Sequence, residues 1–101
     1  MIFLYITCKD VDEAKKIGHA LIKSKAAGCV NIAPITSVYP EDGEVKEVTE
    51  ASLIVKTIDS KVQQVENIVR ELHSYKIPCM ASFALFRLNR EYKDWLMSCV
   101  A

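Results

Sequence analysis

The residues of this 101-residue chain best suited to chemistry are its two histidines and four cysteines: His19 and His73, and Cys8, Cys29, Cys79 and Cys99. His73 and Cys79 form the sharpest pair, separated by Ser74-Tyr75-Lys76-Ile77-Pro78. Imidazole with thiolate is a donor set for copper(I) or zinc. The gap spans a predicted helix end, a turn and a strand start, so the two side chains can converge. Without a metal, the same residues serve as a helix-end histidine and a small core cysteine. No two cysteines stand as Cys-x-x-Cys, which argues against a closed structural zinc site. Cys29 at a strand start and Cys99 on an apolar helix stripe read as packing residues. The chain contains no P-loop, no GxGxxG and no GxSxG. His19 has no evident nucleophile or carboxylate partner, and Ser74 beside His73 is adjacency in sequence, not triad geometry. These observations predict a binding protein, not an enzyme.

Other polar and aromatic residues admit two uses each. Tyr39, Tyr75 and Trp95 fit a pocket between subunits, or core and interface packing. Lys56 and Glu50 lie in an otherwise apolar strand and suit a buried pair or a rim contact. Glu47 and Glu50 suit a cation at a cleft between subunits.

The elements that position these groups follow from periodicity. Residues 2–8 are rich in β-branched and aromatic types and predict a buried strand. Asp10 with Glu13 forms a capping-box pattern, followed by Ala14, Ile17, Gly18, Leu21 and Ile22 at helical spacing, with Gly28 as the stop. Residues 29–39 predict a second strand, with Pro34 demanding an edge or a bulge. Pro40-Glu41-Asp42-Gly43 predicts a turn. Residues 44–58 predict a long third strand with a polar, projecting start and an apolar end. Ser60 and Gln63 form a second capping box before Val62, Val65, Ile68, Val69 and Leu72. Residues 78–88 predict a fourth strand, and Asn89 caps a last helix carrying Tyr92, Trp95, Leu96 and Cys99.

The order β-α-β-β-α-β-α over residues 1–101 predicts one α+β domain: a ferredoxin-like sandwich on an antiparallel sheet. The first and fourth strands lack the apolar–polar alternation of a sheet with one wet face. Both faces must then be covered, and little chain remains to cover the second. Half of the residues are apolar, and mean hydropathy is +0.11. That surplus in so small a body also points to a self-associating oligomer. Thirteen basic residues balance thirteen acidic ones. This leaves no charge excess for a nucleic-acid backbone. No apolar run approaches the roughly 20 residues that cross a bilayer, and the apolar N-terminus lacks the basic region and cleavage site of a signal peptide. A soluble cytoplasmic protein with reduced thiols is the expectation.

Ala27-Gly28-Cys29-Val30-Asn31-Ile32 resembles the Ala-Ala-Cys-Val-Asn signature of the CutA divalent-ion tolerance family. The resemblance continues through Ser37-Val38-Tyr39, Gly43, Glu50, Leu53-Ile54-Val55-Lys56-Thr57, the 72–78 segment and Tyr92-Lys93-Asp94-Trp95-Leu96. It implies a ferredoxin-like fold, a tight homotrimer and a role in tolerance of divalent cations, with copper as a candidate ion. The chain departs from the family pattern at Glu41, where a tryptophan is usual. It departs again at Lys76 and Cys79, where the family has carboxylates. A cysteine near the end of the first strand is tied to copper in some members, and Cys8 stands about two positions from it. The combined expectation is a homotrimeric protein holding copper or another divalent ion through His73, Cys79 and Cys8. The competing expectation is a PII-like signalling or scaffold trimer, binding a small anion or a protein partner in a cleft made basic by Lys56 and Lys76.

Overall fold

The computed structural model describes residues 1–101. The chain runs β1 (Ile2–Cys8), α1 (Val11–Lys23), β2 (Cys29–Glu41), β3 (Glu44–Thr57), a single 3₁₀ turn (Asp59–Lys61), α2 (Val62–Leu72), β4 (Met80–Ala84) and α3 (Arg90–Cys99). The strands form one sheet of order β2-β3-β1-β4, with every neighbouring pair antiparallel. This is the α+β arrangement that the element order predicts.

Alternation along β1 and β3 decides which side faces the helices. Leu4, Ile6 and Cys8 of β1 and Ala51, Leu53 and Val55 of β3 are fully buried. They pack with Ala14, Ile17 and Leu21 of α1 and Val65 and Val69 of α2 in one continuous core. Removing each of the leucine, isoleucine and valine side chains among them from water contributes on the order of 1.5–3 kcal/mol. Phe3, Tyr5 and Ile54 point to the opposite face and are only half-buried.

That second face is partly covered by the chain itself. α3 reaches one end of it, where Lys56 Nζ lies 5.4 Å from the Phe3 ring centre and 5.3 Å from that of Tyr92. Leu96 of α3, fully buried, seats beside Gly28. The rest of the face stays open. Phe3, Leu4, Tyr5, Ile54, Phe83 and Leu85 line an apolar hollow of about 250 Å³, and Phe83 is 52% exposed.

The β2–β3 hairpin outruns the sheet. Ala51–Lys56 of β3 pair with both β1 and β2, whereas Glu44–Glu50 pair with β2 alone. The result is a two-stranded ribbon on a body 47 Å long and 20 Å thick. Its tip is a two-residue turn with Asp42 at φ 53° and Gly43 at φ 78°. Both positions lie in the left-handed region, as a tight hairpin turn requires. Pro40 and Glu41, expected in the turn, belong to β2 and pair with Val45 and Glu44. Pro34 stands in an unbroken register opposite Ala51, on the edge strand, where proline is tolerated.

Four local expectations change. α1 ends at Ser24, with Lys25 in the left-handed conformation (φ 60°), so Gly28 is not its stop. The glycine is needed instead for packing: a Cβ there would stand 2.4 Å from Leu96 Cδ1 and 3.1 Å from Cys99 Cβ. α2 starts from the Asp59–Lys61 turn without the side-chain cap expected from Ser60. Asn89 occupies the N-cap position of α3 without a side-chain bond to the helix. β4 covers only Met80–Ala84 of the expected 78–88, pairing with Ile2 to Ile6 of β1. Gly28→Ala should therefore lower stability by about 1–3 kcal/mol through overpacking at Leu96 and Cys99, read as a drop in melting temperature.

Candidate functional site

The donor-bearing side chains converge where β1 ends and α1 begins. Asp10 caps α1 by accepting the Glu13 amide at 2.8 Å. This fixes Glu13 in the first turn with its carboxylate turned inward, and the residue is 8% exposed. Glu13 Oε1 accepts the Lys9 amide at 3.0 Å, and Oε2 accepts the Ser74 amide at 2.9 Å. The Glu13 carboxylate thus ties the start of α1 to the segment after α2.

His73, the first residue beyond α2, completes the tie. Its side chain is fully buried and lies with Nδ1 3.8 Å from Glu13 Oε1. Nε2 lies 2.8 Å from the Thr7 carbonyl, and Nδ1 accepts the Tyr75 amide at 3.0 Å. A carbonyl opposite Nε2 and an N–H opposite Nδ1 place the ring proton on Nε2. Tyr75 then packs its ring against His73, with centroids 4.9 Å apart, and its hydroxyl donates to Glu50 Oε2 at 2.5 Å. No buried side-chain polar atom is left without a partner.

Cys8, wholly buried at the end of β1, is the third member. One donor atom from each of Cys8, Glu13 and His73 falls within 4.8 Å of the others. Burial pushes the Cys8 thiol up to about 12, with the negative charges of Glu13, Asp10 and Glu50 adding to it. Burial alone would also raise Glu13, but hydrogen bonds from Ser74 and Lys9 outweigh it and hold the carboxyl below its ordinary value. Burial and the bond to Glu50 raise Tyr75 above the ordinary phenol range.

Thiol, carboxylate and imidazole together suit zinc or copper in donor type. Around a tetrahedral ion with bonds of about 2.0–2.3 Å, donor atoms stand about 3.5 Å apart. The three therefore fit such an ion in identity and, with modest contraction, in spacing. Of the sequence-predicted ligands, His73 and Cys8 come together. Cys79 is exposed beside β4 and is not a member of the group. Glu13 is the member that sequence reasoning missed, because its carboxylate was assigned to the helix cap alone. Its position in the first turn, five residues after Cys8, was the available signal.

The remaining candidates are placed as follows. Cys29 and Cys99 are half-buried. Tyr39 and Trp95 are 38% and 48% exposed, Trp95 stacking at a tilt on Tyr92. Glu47 is exposed on the ribbon, and His19 is exposed on α1. Lys56 is held between Phe3 and Tyr92 and donates to the Tyr92 hydroxyl at 3.4 Å. Lys56 is therefore engaged, which removes the main support for a basic, anion-binding cleft.

Comparison with known proteins agrees over the full span. Residues 2–99 match the family model for CutA1 divalent ion tolerance protein. A divalent-cation tolerance protein CutA from Archaeoglobus fulgidus is 38% identical over 94 residues, covering 93% of this chain and 92% of the relative. A protein of the same name from Thermus thermophilus is 39% identical over 92 residues, covering 90% and 89%. The solved structure of the Archaeoglobus fulgidus protein, described as periplasmic, superposes with a TM-score of 0.94 at 37% identity, covering all of both chains. The divalent ion tolerance protein CutA1 from Ehrlichia chaffeensis gives a TM-score of 0.95 at 31% identity over 99% of this chain and 94% of its own.

The Glu13 tie has a pH signature. A carboxyl held below its unfolded value adds stability that is complete above that value, 4.5 for glutamate, and is lost as pH falls through the lowered one. Glu13→Gln should cost about 1–3 kcal/mol at neutral pH, since the amide keeps one acceptor and brings donors that face N–H groups. In denaturation measured from about pH 6 to about pH 3, the gap between wild type and Glu13→Gln should narrow with acidity. A gap that stays constant would refute the role given to the ionised carboxylate.

Proposed function

Because this chain belongs to the CutA1 divalent ion tolerance family, we propose that it is a homotrimeric cation-responsive protein that binds copper or another soft or borderline divalent ion at Cys8, Glu13 and His73. The observation that carries the reading is the convergence of a thiol, a carboxylate and an imidazole in one buried group. An ion held there would draw charge from the thiolate and bridge β1, α1 and the segment after α2. The chain's own part is to bury the three donors, orient His73 through Thr7 and keep Glu13 ionised. Each is a binding task, and we read the protein as a binding protein and not an enzyme. Four unpaired cysteines suit a reducing cytoplasm.

The trimer reading draws on the open sheet face and the ribbon. An isolated two-stranded ribbon is marginal in water, and the apolar hollow around Phe3, Tyr5, Ile54 and Phe83 needs a cover. A second and third copy of the chain, each lending its ribbon or sheet edge, would supply both. The chain acts in this reading as one domain over residues 1–101.

Two measurements test these statements. Light scattering should give three times the 11.4 kDa chain mass, and Phe83→Glu should shift it toward the monomer; a wild-type monomer would refute the assembly. Calorimetric titration under reducing conditions should show saturable binding of zinc or copper(I) that falls at least about tenfold in Cys8→Ser and in His73→Gln. Undiminished binding in both variants would remove the ion from this group. The ion must displace the thiol proton, so affinity should also rise with pH between about 6 and 8.

A further inference from the structure

We infer that ion binding at Cys8, Glu13 and His73 and the hydrogen bond from the Tyr75 amide to His73 exclude one another, so that the group and the Ser74–Cys79 loop form a cation-operated switch. The inference rests on the metal reading above and adds a regulation to that site.

The reason lies in the lone pairs of one imidazole. A neutral ring has a single basic nitrogen, and in this fold that nitrogen is Nδ1, already accepting the Tyr75 N–H at 3.0 Å. If Nδ1 turns to a cation, the Tyr75 amide loses its acceptor directly. If Nε2 binds instead, it gives up the Thr7 carbonyl. The ring proton then moves to Nδ1 and confronts the Tyr75 N–H, donor against donor. Both routes release Tyr75. Glu13 behaves differently, because each carboxylate oxygen has a second lone pair. It can meet a cation while keeping the amides of Lys9 and Ser74. The break is therefore specific to Tyr75.

Release at Tyr75 is inexpensive and has somewhere to go. Ser74, Tyr75, Lys76, Ile77 and Cys79 are exposed, with Ile77 at 86%, so little packing is undone. The Tyr75 hydroxyl is bonded to Glu50, the last residue before β3 joins β1. The loosened Tyr75 thus carries the effect to a carboxylate at the root of the ribbon, through its hydroxyl bond. Site occupancy is converted into a change of surface at the loop. Binding linkage is reciprocal, so weakening the hold on Tyr75 must tighten ion binding by the same factor.

The test uses the full chain, reducing conditions and zinc chloride as the probe. Hydrogen exchange of the Tyr75 amide, resolved by NMR, is followed with and without saturating zinc, alongside zinc affinities of wild type and Tyr75→Phe. The expected result is exchange at Tyr75 about tenfold faster with zinc, unchanged in Cys8→Ser, and zinc affinity about fivefold or more higher in Tyr75→Phe. Saturable zinc binding that Cys8→Ser abolishes, with Tyr75 exchange unchanged or slowed, would overturn the switch and leave the metal site standing. No saturable zinc binding to wild type would overturn both.

Discussion

A buried carboxylate cannot stay in a protein interior unless its lone pairs are met, and Glu13 meets this constraint by joining two separate parts of the chain, residues 9–10 and 73–74. Its own amide bonds to Asp10, its carboxylate takes the amides of Lys9 and Ser74, and His73 lies beside it. These contacts set where α1 leaves β1 and where the chain goes after α2. The sheet face under the helices could be built by apolar packing alone. The placement of His73 over Cys8, and of Tyr75 over Glu50, could not. The energetic stake is high in both directions: satisfied, such a network fixes one geometry, and left partly satisfied it would cost more than an apolar replacement.

Around this tie the molecule divides its two sheet faces unequally. One is sealed by α1 and α2, with Leu4, Ile6, Leu53 and Val55 at its centre. The other is closed only at the end where Lys56 lies between Phe3 and Tyr92 and where Leu96 seats against Gly28. The open part carries aromatic residues, and beyond Ala51 the strands of the ribbon pair only with each other. A chain of this size cannot bury all of its apolar surface by itself. The uncovered area and the unsupported ribbon are two aspects of one deficit.

The same economy bears on function. The family to which the chain belongs is named for divalent cation tolerance, yet the most metal-like group here is closed by hydrogen bonds and carries a thiol pushed up to about 12. Under the proposed metal reading, an ion entering this group would have to compete with a thiol proton and with the Tyr75 amide, which would favour ions with strong affinity for sulfur and nitrogen donors.

Much of this was legible in the sequence. Strong periodicity fixed the strands and helices, since apolar spacing has one low-energy reading when one face must be buried. Unalternating strands told of a second face in need of cover, and the whole-chain motif pattern told of the family. Local capping and turn chemistry was less legible. Ser60 and Asn89 make no cap bonds, and Pro40 lies in a strand, where pairing with Val45 overrode its turn preference. The site was half legible. His73 and Cys8 stood out by type; Cys79, six residues from His73, is exposed and outside their group, while Glu13, sixty residues from His73, lies within it. Sequence alone determined which residues have donor atoms and which faces are apolar, because those are properties of side chains and their spacing. Only the tertiary structure decided which donors meet, because that depends on where α2 delivers His73 relative to the end of β1, a long-range juxtaposition that no local pattern encodes.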